Sequence, residues 1–351
     1  MFLNNTYNEF IKIAAKPRSY ISIAAITLLV GIIFFAMKID GPGYISFITA
    51  SFEQTLNFQG NIMNGNLMAF IILQMLIVQI PLLVALVTGD LISGEAAMGT
   101  IRMLLTKPIS RTSILLSKYT AGLIYTFFIL VWMGFLSVVV GNWVFGNGDL
   151  MVLNSDGLVI LPANDIIWRF MSGFVIAFLA LATVATLSIM LSCFSDNSIG
   201  PIVTTMSIII LFTIIGTLDV PVFDNIRPYL FTTHMAAWRS FFENPLPIAS
   251  IKQSILILIA HIGVFLSIAI YQFNKKDILS NARKILRIML NKNSNELDVL
   301  KNWISKFSIE QSEVYSSKLY NEFDTNYKSV KKIDPIYNFD NKKIDGRIII
   351  R

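Results

Sequence analysis

Residues 170–218 read FMSGFVIAFLALATVATLSIMLSCF, then SDNS, then IGPIVTTMSIIILFTIIGTL, and Asp196 is the one Asp, Glu, Lys or Arg among them. A helix crossing the hydrocarbon core needs about 20 predominantly apolar residues, and both runs, 170–194 and 199–218, have that length. A soluble core helix is rarely apolar on every face for so long. The short connection Ser195-Asp196-Asn197-Ser198 forces the two helices into a tight antiparallel hairpin. Gly200 and Pro201 fall in the first turn of the second helix, where the N–H that proline lacks would be unpaired anyway.

Working outward, four more stretches lack Asp, Glu, Lys and Arg and have the same character: 21–37, 67–89, 119–144 and 253–273. The first is the shortest, and Tyr20 and its neighbours extend it. It follows Lys12, Lys16 and Arg18 as a signal peptide would, but Met37-Lys38-Ile39-Asp40 offers no small-x-small cleavage site, so an uncleaved span is expected. The expected fold is all-α, a polytopic membrane protein with six transmembrane helices.

Composition agrees. The 351 residues are 54% hydrophobic and 14% charged, with mean hydropathy +0.64. Soluble proteins carry about 25% charged residues, so a disordered chain is excluded and an ordinary soluble enzyme disfavoured. A net charge of +6 would suggest nucleic acid if it formed a soluble patch. It does not: residues 1–273 hold 12 Lys/Arg and 12 Asp/Glu, and 274–351 hold 16 and 10. The surplus sits in the last part of the chain, marked as a basic C-terminal extension, 274–351. Cys193 is the single cysteine, which excludes an internal disulfide framework.

Lys and Arg prefer the cytoplasmic side. With the N-terminus inside, the inner segments hold Lys12, Lys16, Arg18, Arg102, Lys107, Arg111 and Lys118, against Lys38, Arg169, Arg227, Arg239 and Lys252 outside. Lys275, Lys276, Arg283, Lys284 and Arg287 after the last span strengthen the bias. Both termini are expected in the cytoplasm. Residues 1–20 mix Phe2, Phe10, Ile11, Ile13 and Ala14 with basic residues, which suits a helix on the inner membrane surface; an ordinary frayed terminus is the alternative. The expected domains are thus 1–20, a six-span domain over 21–273, and the extension. The outer loops are 38–66, 145–169 and 219–252, the last rich in aromatics and prolines. Short helices packed in the head-group layer, or a gating loop, would explain it.

The inner segment 89–118 is the longest expected cytoplasmic piece before the tail. Gly94 and Gly99 allow tight turns. Thr100 can cap a short helix over 101–106 that Lys107-Pro108 ends, and Ser110 can cap the helix running into the third span. Met98, Ile101, Met103, Leu104 and Leu105 are too apolar for a solvated loop and should be buried against membrane, the chain's own helices or a partner's groove.

Glu95, Gly99, Thr100, Arg102, Leu104, Leu105, Pro108, Arg111 and Lys118 resemble the corresponding loop of ABC-2-type transporter permeases. The run Phe273-Asn-Lys-Lys-Asp277-Ile278 resembles the ending of the same family, and the likeness covers about 1–280. The resemblance implies a permease subunit of an ATP-driven exporter in the bacterial cytoplasmic membrane. It implies that the loop docks in a groove of a separate cytosolic ATPase, with Glu95, Gly99, Thr100, Arg102, Pro108 and Arg111 as the coupling element. Glu95 and Arg102 would make charged contacts, and Gly99 and Pro108 would shape the turn. A second permease copy, identical or paired, is implied as well. The chain has no G-x-x-x-x-G-K-[ST], so ATP and Mg would be used by the partner and no cofactor is expected on this chain.

Two other classes stay open. A secondary transporter should bury ionisable residues in its spans; His261 qualifies, and Gln74, Gln79 and Pro81 could line a path. Inter-helix hydrogen bonding and a proline kink explain the same residues. An intramembrane enzyme finds no aspartate within a span, no H-E-x-x-H and no G-x-S-x-G. In the extension, 275–292 is basic and could lie on the anionic leaflet, and 295–307 has helical spacing. A helical appendage touching the ATPase or the inner loops, and a solvated extension, are both compatible with it.

Overall fold

The structure is a computed structural model, and it describes residues 2–49, 63–76, 79–101, 109–154, 157–218 and 220–276. The expected surface stretch 275–292, but for its first two residues, and the helix over 295–307 lie outside them, as does the short loop helix beyond Ile101. The chain divides into two units, Met1–Gly99 with Ile109–Lys275, and Thr100–Pro108 with Lys276–Arg351. All six spans belong to the first.

The protein is mostly helical, and six helices are long and apolar enough to cross a membrane. They are span 1 (Pro17–Gly41), span 2 (Gln79–Ala97), span 3 (Arg111–Phe145), span 4 (Ala163–Phe194), span 5 (Ile199–Thr217) and span 6 (Ile248–Lys275). This is a multi-pass membrane protein. An N-terminal helix, α1 (Phe2–Ala15), precedes span 1 and packs against the start of span 3.

Span 4 is the hub. It contacts spans 2, 3, 5 and 6, and residues 180–189 along it are buried on every face except Met190's side of the next turn. That stretch reads Ala-Leu-Ala-Thr-Val-Ala-Thr-Leu-Ser-Ile. Lipid tails are as apolar as leucine, so helices in a bilayer associate by close packing and hydrogen bonds rather than by hydrophobic exclusion. Alanine, serine and threonine let the neighbouring backbones approach. Spans 1, 5 and 6 instead turn large side chains outward, among them Leu28 and Phe35, Ile210 and Leu211, Leu256 and Ile259.

The ends of spans 2 and 3 differ from the sequence expectation. Helix continues past Gly89 through Asp90–Ala97, and span 3 begins at Arg111 rather than near 119. A count of uncharged residues stops at Asp90 and Lys118; the helices do not, because those charges are paired inside the bundle. The expected second stretch is itself divided: Gly65–Met75 is a separate apolar helix, and Pro81 stands in the first turn of Gln79–Thr88.

The all-α expectation also needs correction. Between spans 3 and 4, β1 (Leu150–Asn154) and β2 (Gly157–Leu161) form an antiparallel hairpin with Leu150 opposite Leu161 and Val152 opposite Val159. Its sequence is aliphatic with Asn154 and Gly157 at the turn, chemistry that suits a short hairpin. Leu150, Val152 and Leu161 are buried and Ile160 is exposed, the period-two pattern of a half-buried ribbon.

The aromatic segment before span 6 folds as short helices, as expected: Pro221–Phe223, Arg227–Tyr229, Phe231–Met235 and Ala236–Phe242. Its aromatics serve packing more than the interface. Phe242 meets Phe170 at 4.9 Å and Phe70 at 5.2 Å, and Trp238 meets Phe70 at 5.6 Å, all edge-on. Arg169 of span 4 clamps this turn by donating to the carbonyls of Phe241 (2.7 Å) and Glu243 (3.2 Å).

Gly65 touches the end of span 3. A Cβ there would lie 2.3 Å from the Cα of Asn142, a backbone atom that cannot step aside. Asn66 and Asn142 lock the same junction, Asn142 donating to the Asn66 side-chain carbonyl at 3.1 Å. Gly65→Ala is therefore expected to cost about 1–3 kcal/mol through overpacking, read as an earlier midpoint in SDS-denaturation titrations of the purified protein.

Candidate functional site

A cluster of charged residues gathers where α1, the end of span 2 and the starts of spans 3 and 5 meet. α1 turns Thr6, Glu9 and Ile13 inward, positions spaced by three and four so that they share one helix face. Leu3, Tyr7 and Ile11 form the opposite, exposed stripe. Glu9 thereby points at Lys118 of span 3, and Lys12, one turn on, reaches the same place.

The result is a closed ring of four charges. Lys118 Nζ lies 2.6 Å from Glu9 Oε2 and 2.8 Å from Glu95 Oε2. Lys12 Nζ lies 2.6 Å from Glu9 Oε1 and 3.1 Å from Glu95 Oε1. Each carboxylate bridges both ammoniums, and each ammonium both carboxylates. The Lys118 side chain is only 1% exposed and those of Glu9 and Glu95 8% and 10%, whereas Lys12 is 48% exposed, so water screens the Lys12 side of the ring and little of the rest.

A second group adjoins it. Asp90 accepts from Lys16 at 2.7 Å, pairs with Arg18 at 2.9 Å and accepts from the Ser198 hydroxyl. Arg18 also donates to Ser198 at 3.0 Å. The short connection between spans 4 and 5 is thus tied to the end of span 2 and the start of span 1.

The backbone here needs help. The span 2 ladder is interrupted at Gly89, and Ser192 of span 4 fills the gap. Its hydroxyl accepts from Ser93 N at 2.8 Å and Ile92 N at 3.3 Å, and donates to Gly89 O at 2.7 Å. Gly89 permits this approach: a Cβ would fall 2.8 Å from Ser188 Oγ and 3.0 Å from Ile202 Cγ1. The helix ends at Gly99, whose φ of +74° is the left-handed conformation that favours glycine at a helix C-terminus.

The coupling residues expected from sequence divide as follows. Glu95 belongs to the buried ring rather than to an exposed tip. Gly99 closes span 2, and Thr100 follows it in helical conformation. Arg111 donates to Asn274 O at 3.0 Å, joining the start of span 3 to the end of span 6. Ser110 caps span 3 as expected, accepting from Ser113 N at 3.3 Å. Arg102 and Pro108 lie outside the described residues. Glu9, Asp90 and Ser192 were not legible as site residues. The one available signal was that Glu9 is the single acid before Asp40, a turn away from Lys12.

The expected path residues are not brought together. Gln74 and Gln79 are exposed. The small apolar cavity beside them, about 50 Å³, is lined by Leu73, Ile80 and Pro81 among others, and has little room beyond a water. His261 Nδ1 is 2.9 Å from Ile257 O, with its ring against Phe231 and Phe265. His234 bridges Ser254 at 2.9 Å and Pro228 O at 2.8 Å, a structural tie. Among the described residues, no group of three or more His, Cys, Asp or Glu is placed to hold a metal ion.

Burial works to raise the Glu9 pKa, but the ammoniums of Lys118 and Lys12 outweigh it and hold Glu9 below its ordinary value. Burial likewise works to lower Lys12, and the carboxylates of Glu9 and Glu95 leave it raised. A depressed carboxylate contributes stability above its unfolded pKa of about 4.3, lost as the pH falls through the lower folded value. A raised lysine contributes below about 10.4, lost as the pH rises through the higher folded value. Glu9→Gln should therefore be less stable than wild type near neutrality, and the gap should close in SDS titrations below about pH 4. Lys118→Ala leaves two largely buried carboxylates to share Lys12 alone and is expected to cost up to about 3–5 kcal/mol by the same measurement.

No curated protein matches the sequence. A family does, and its match starts within span 1, takes in all the later spans with Asp90, Glu95 and Lys118 of the charged junction but not Glu9, Lys12, Lys16 or Arg18, and ends just beyond Lys275. Over residues 23–279, well over half its length, the chain belongs to the family described as "Protein of unknown function (DUF2705)".

Proposed function

We propose that this chain is the permease subunit of an ATP-driven transporter of the ABC-2 type, working in export and coupled to a separate cytosolic ATPase. In this reading both termini face the cytoplasm, and so does the charged junction. α1 lies along the inner leaflet with Leu3, Tyr7 and Ile11 in lipid. The segment between Gly99 and Ser110 docks on the ATPase, which supplies the ATP and Mg site. A second permease copy completes the transporter.

One observation carries the proposal. Glu95 and Lys118 stand just outside the two ends of that segment, and an ion pair of 2.8 Å joins them. Both are also anchored to Glu9 or Lys12 of α1. With the flanks tied to each other, a pull passed from the segment to span 2 is passed to span 3 as well. That is what transmission from a docked ATPase to membrane helices requires, and a plain solvated loop needs no such anchoring. Arg111 adds span 6 to the same assembly through the Asn274 carbonyl.

Affinity purification of the tagged chain from its native membranes should bring down an ATPase subunit carrying a phosphate-binding loop. If solubilised protein is recovered without one under several mild detergents, the assignment fails. In the reconstituted pair, Glu95→Gln should lower stimulated ATP hydrolysis about tenfold while leaving membrane insertion intact, the scale of an interaction worth about 1.4 kcal/mol. Unchanged hydrolysis with both Glu95→Gln and Arg102→Ala would remove this segment from the coupling path.

A further inference from the structure

The end of span 5 remote from the charged junction carries a polar cleft. Ser198, just before span 5, contacts Asp90; the span's 19 residues run about 28 Å at 1.5 Å each to Thr217. There a cleft of about 280 Å³ opens among the end of span 5, the short helix Phe231–Met235 and the turn Ala236–Phe242. Thr213, Thr217, Thr232, Thr233 and Arg239 line it, with no acidic side chain among the described residues.

Two of these groups have buried polar atoms that find no partner among the described residues, Thr232 Oγ1 and Arg239 Nε. Of the other described arginines, Arg18 pairs with Asp90, Arg169 with Asp165 and Arg227 with Asp224, and Arg111 donates to the Asn274 carbonyl. Arg239 has no carboxylate within ion-pair reach among the described residues and stands only over the Trp238 ring, 5.9 Å from its centre. Burial alone pushes its pKa down, the mark of a cation desolvated without a counter-charge. A guanidinium nonetheless keeps its proton and remains a fork of donors with no acceptor. Thr213 and Thr217 already donate to the carbonyls of Ile209 and Thr213, so Thr232 and its neighbour Thr233 are the wall hydroxyls with a proton to give, and the Thr232 oxygen is the buried one.

An arginine fork and a hydroxyl donor facing one cleft form the donor set that oxyanions take up, phosphate above all because its several oxygens satisfy both at once. We propose that this cleft binds a phosphate group, gripped by Arg239 and completed by the Thr232 hydroxyl. The cleft sits at the end of a membrane-length helix, at head-group depth, so the phosphate belongs either to a phospholipid head group or to a soluble phosphorylated molecule. The proposal does not depend on ATP-driven transport.

The test uses the full-length protein in an uncharged detergent and in nanodiscs. One arm titrates inorganic phosphate by calorimetry. The other measures, by native mass spectrometry, phosphatidylglycerol retained from mixed phosphatidylglycerol–phosphatidylcholine discs. Saturable binding is expected in at least one arm, weakened about tenfold or more in Arg239→Gln and less steeply in Thr232→Val. Inorganic phosphate binding identifies a soluble source, and retained phosphatidylglycerol alone identifies a head group; either supports the site. Thr232→Val is isosteric and decides the matter should Arg239→Gln fail to fold. Absence of binding in both arms, or equal binding by wild type and the folded variants, overturns it.

Discussion

A lysine whose side chain is 1% exposed, about two turns into a membrane-length helix, sets the terms for this end of the protein. An isolated ammonium in a low-dielectric surround is prohibitively costly, and only paired, hydrogen-bonded carboxylates offset it. Lys118 therefore requires Glu9 and Glu95 beside it. Glu95 can reach it only if span 2 continues as helix beyond Gly89. Glu9 can reach it only if α1 folds back onto span 3. Helix length and N-terminal docking both follow from satisfying one buried charge.

The same economy governs the backbone. In hydrocarbon an unpaired peptide group has no water to turn to, so the interruption at Gly89 is tolerable only because Ser192 supplies both an acceptor and a donor there. Ser192 reaches it because span 4 presents small residues through its middle and because Gly89 has no side chain. Span 4 is thus central for two linked reasons. Its small residues give neighbouring helices close contact, and its hydroxyls mend what close contact disrupts.

What was legible in the sequence was what depends on neighbours in the chain. Six apolar runs gave six spans, Ser110 gave a cap, and four residues between 194 and 199 gave a hairpin. What depends on partners far along the chain was not. Asp90 and Lys118 looked like the ends of spans because their counter-charges lie 74 and 109 positions away. Trp238 and Phe242 looked like interface aromatics because nothing local reveals that Phe70 and Phe170 will receive them. Glu95 and Arg111 could be picked out by resemblance, yet that likeness said nothing of their inward bonds to Lys118, Lys12 and Asn274. The strands at 150–161 carried an aliphatic ribbon pattern too short to stand out beside the spans.

Span 5 links the two polar ends of the molecule. At one end its preceding residue is held by Asp90 and Arg18; at the other its threonines line the Arg239 cleft. Between them the helix turns much of its surface outward, with Val203, Ile210, Leu211 and Ile214 exposed. A helix held by polar contacts at one end and exposed along much of its length shifts along or about its axis more readily than one embedded like span 4. For occupancy of the cleft to be felt at the charged junction, the ligand must bind one position of span 5 more tightly than another, and the Ser198–Asp90 contact must differ between the two. Linkage then runs both ways: whatever displaces Asp90 from Ser198 alters affinity in the cleft by the same factor. The Ser198 contacts at one end of span 5 and the cleft wall at the other are therefore where energy would enter such a conformational change.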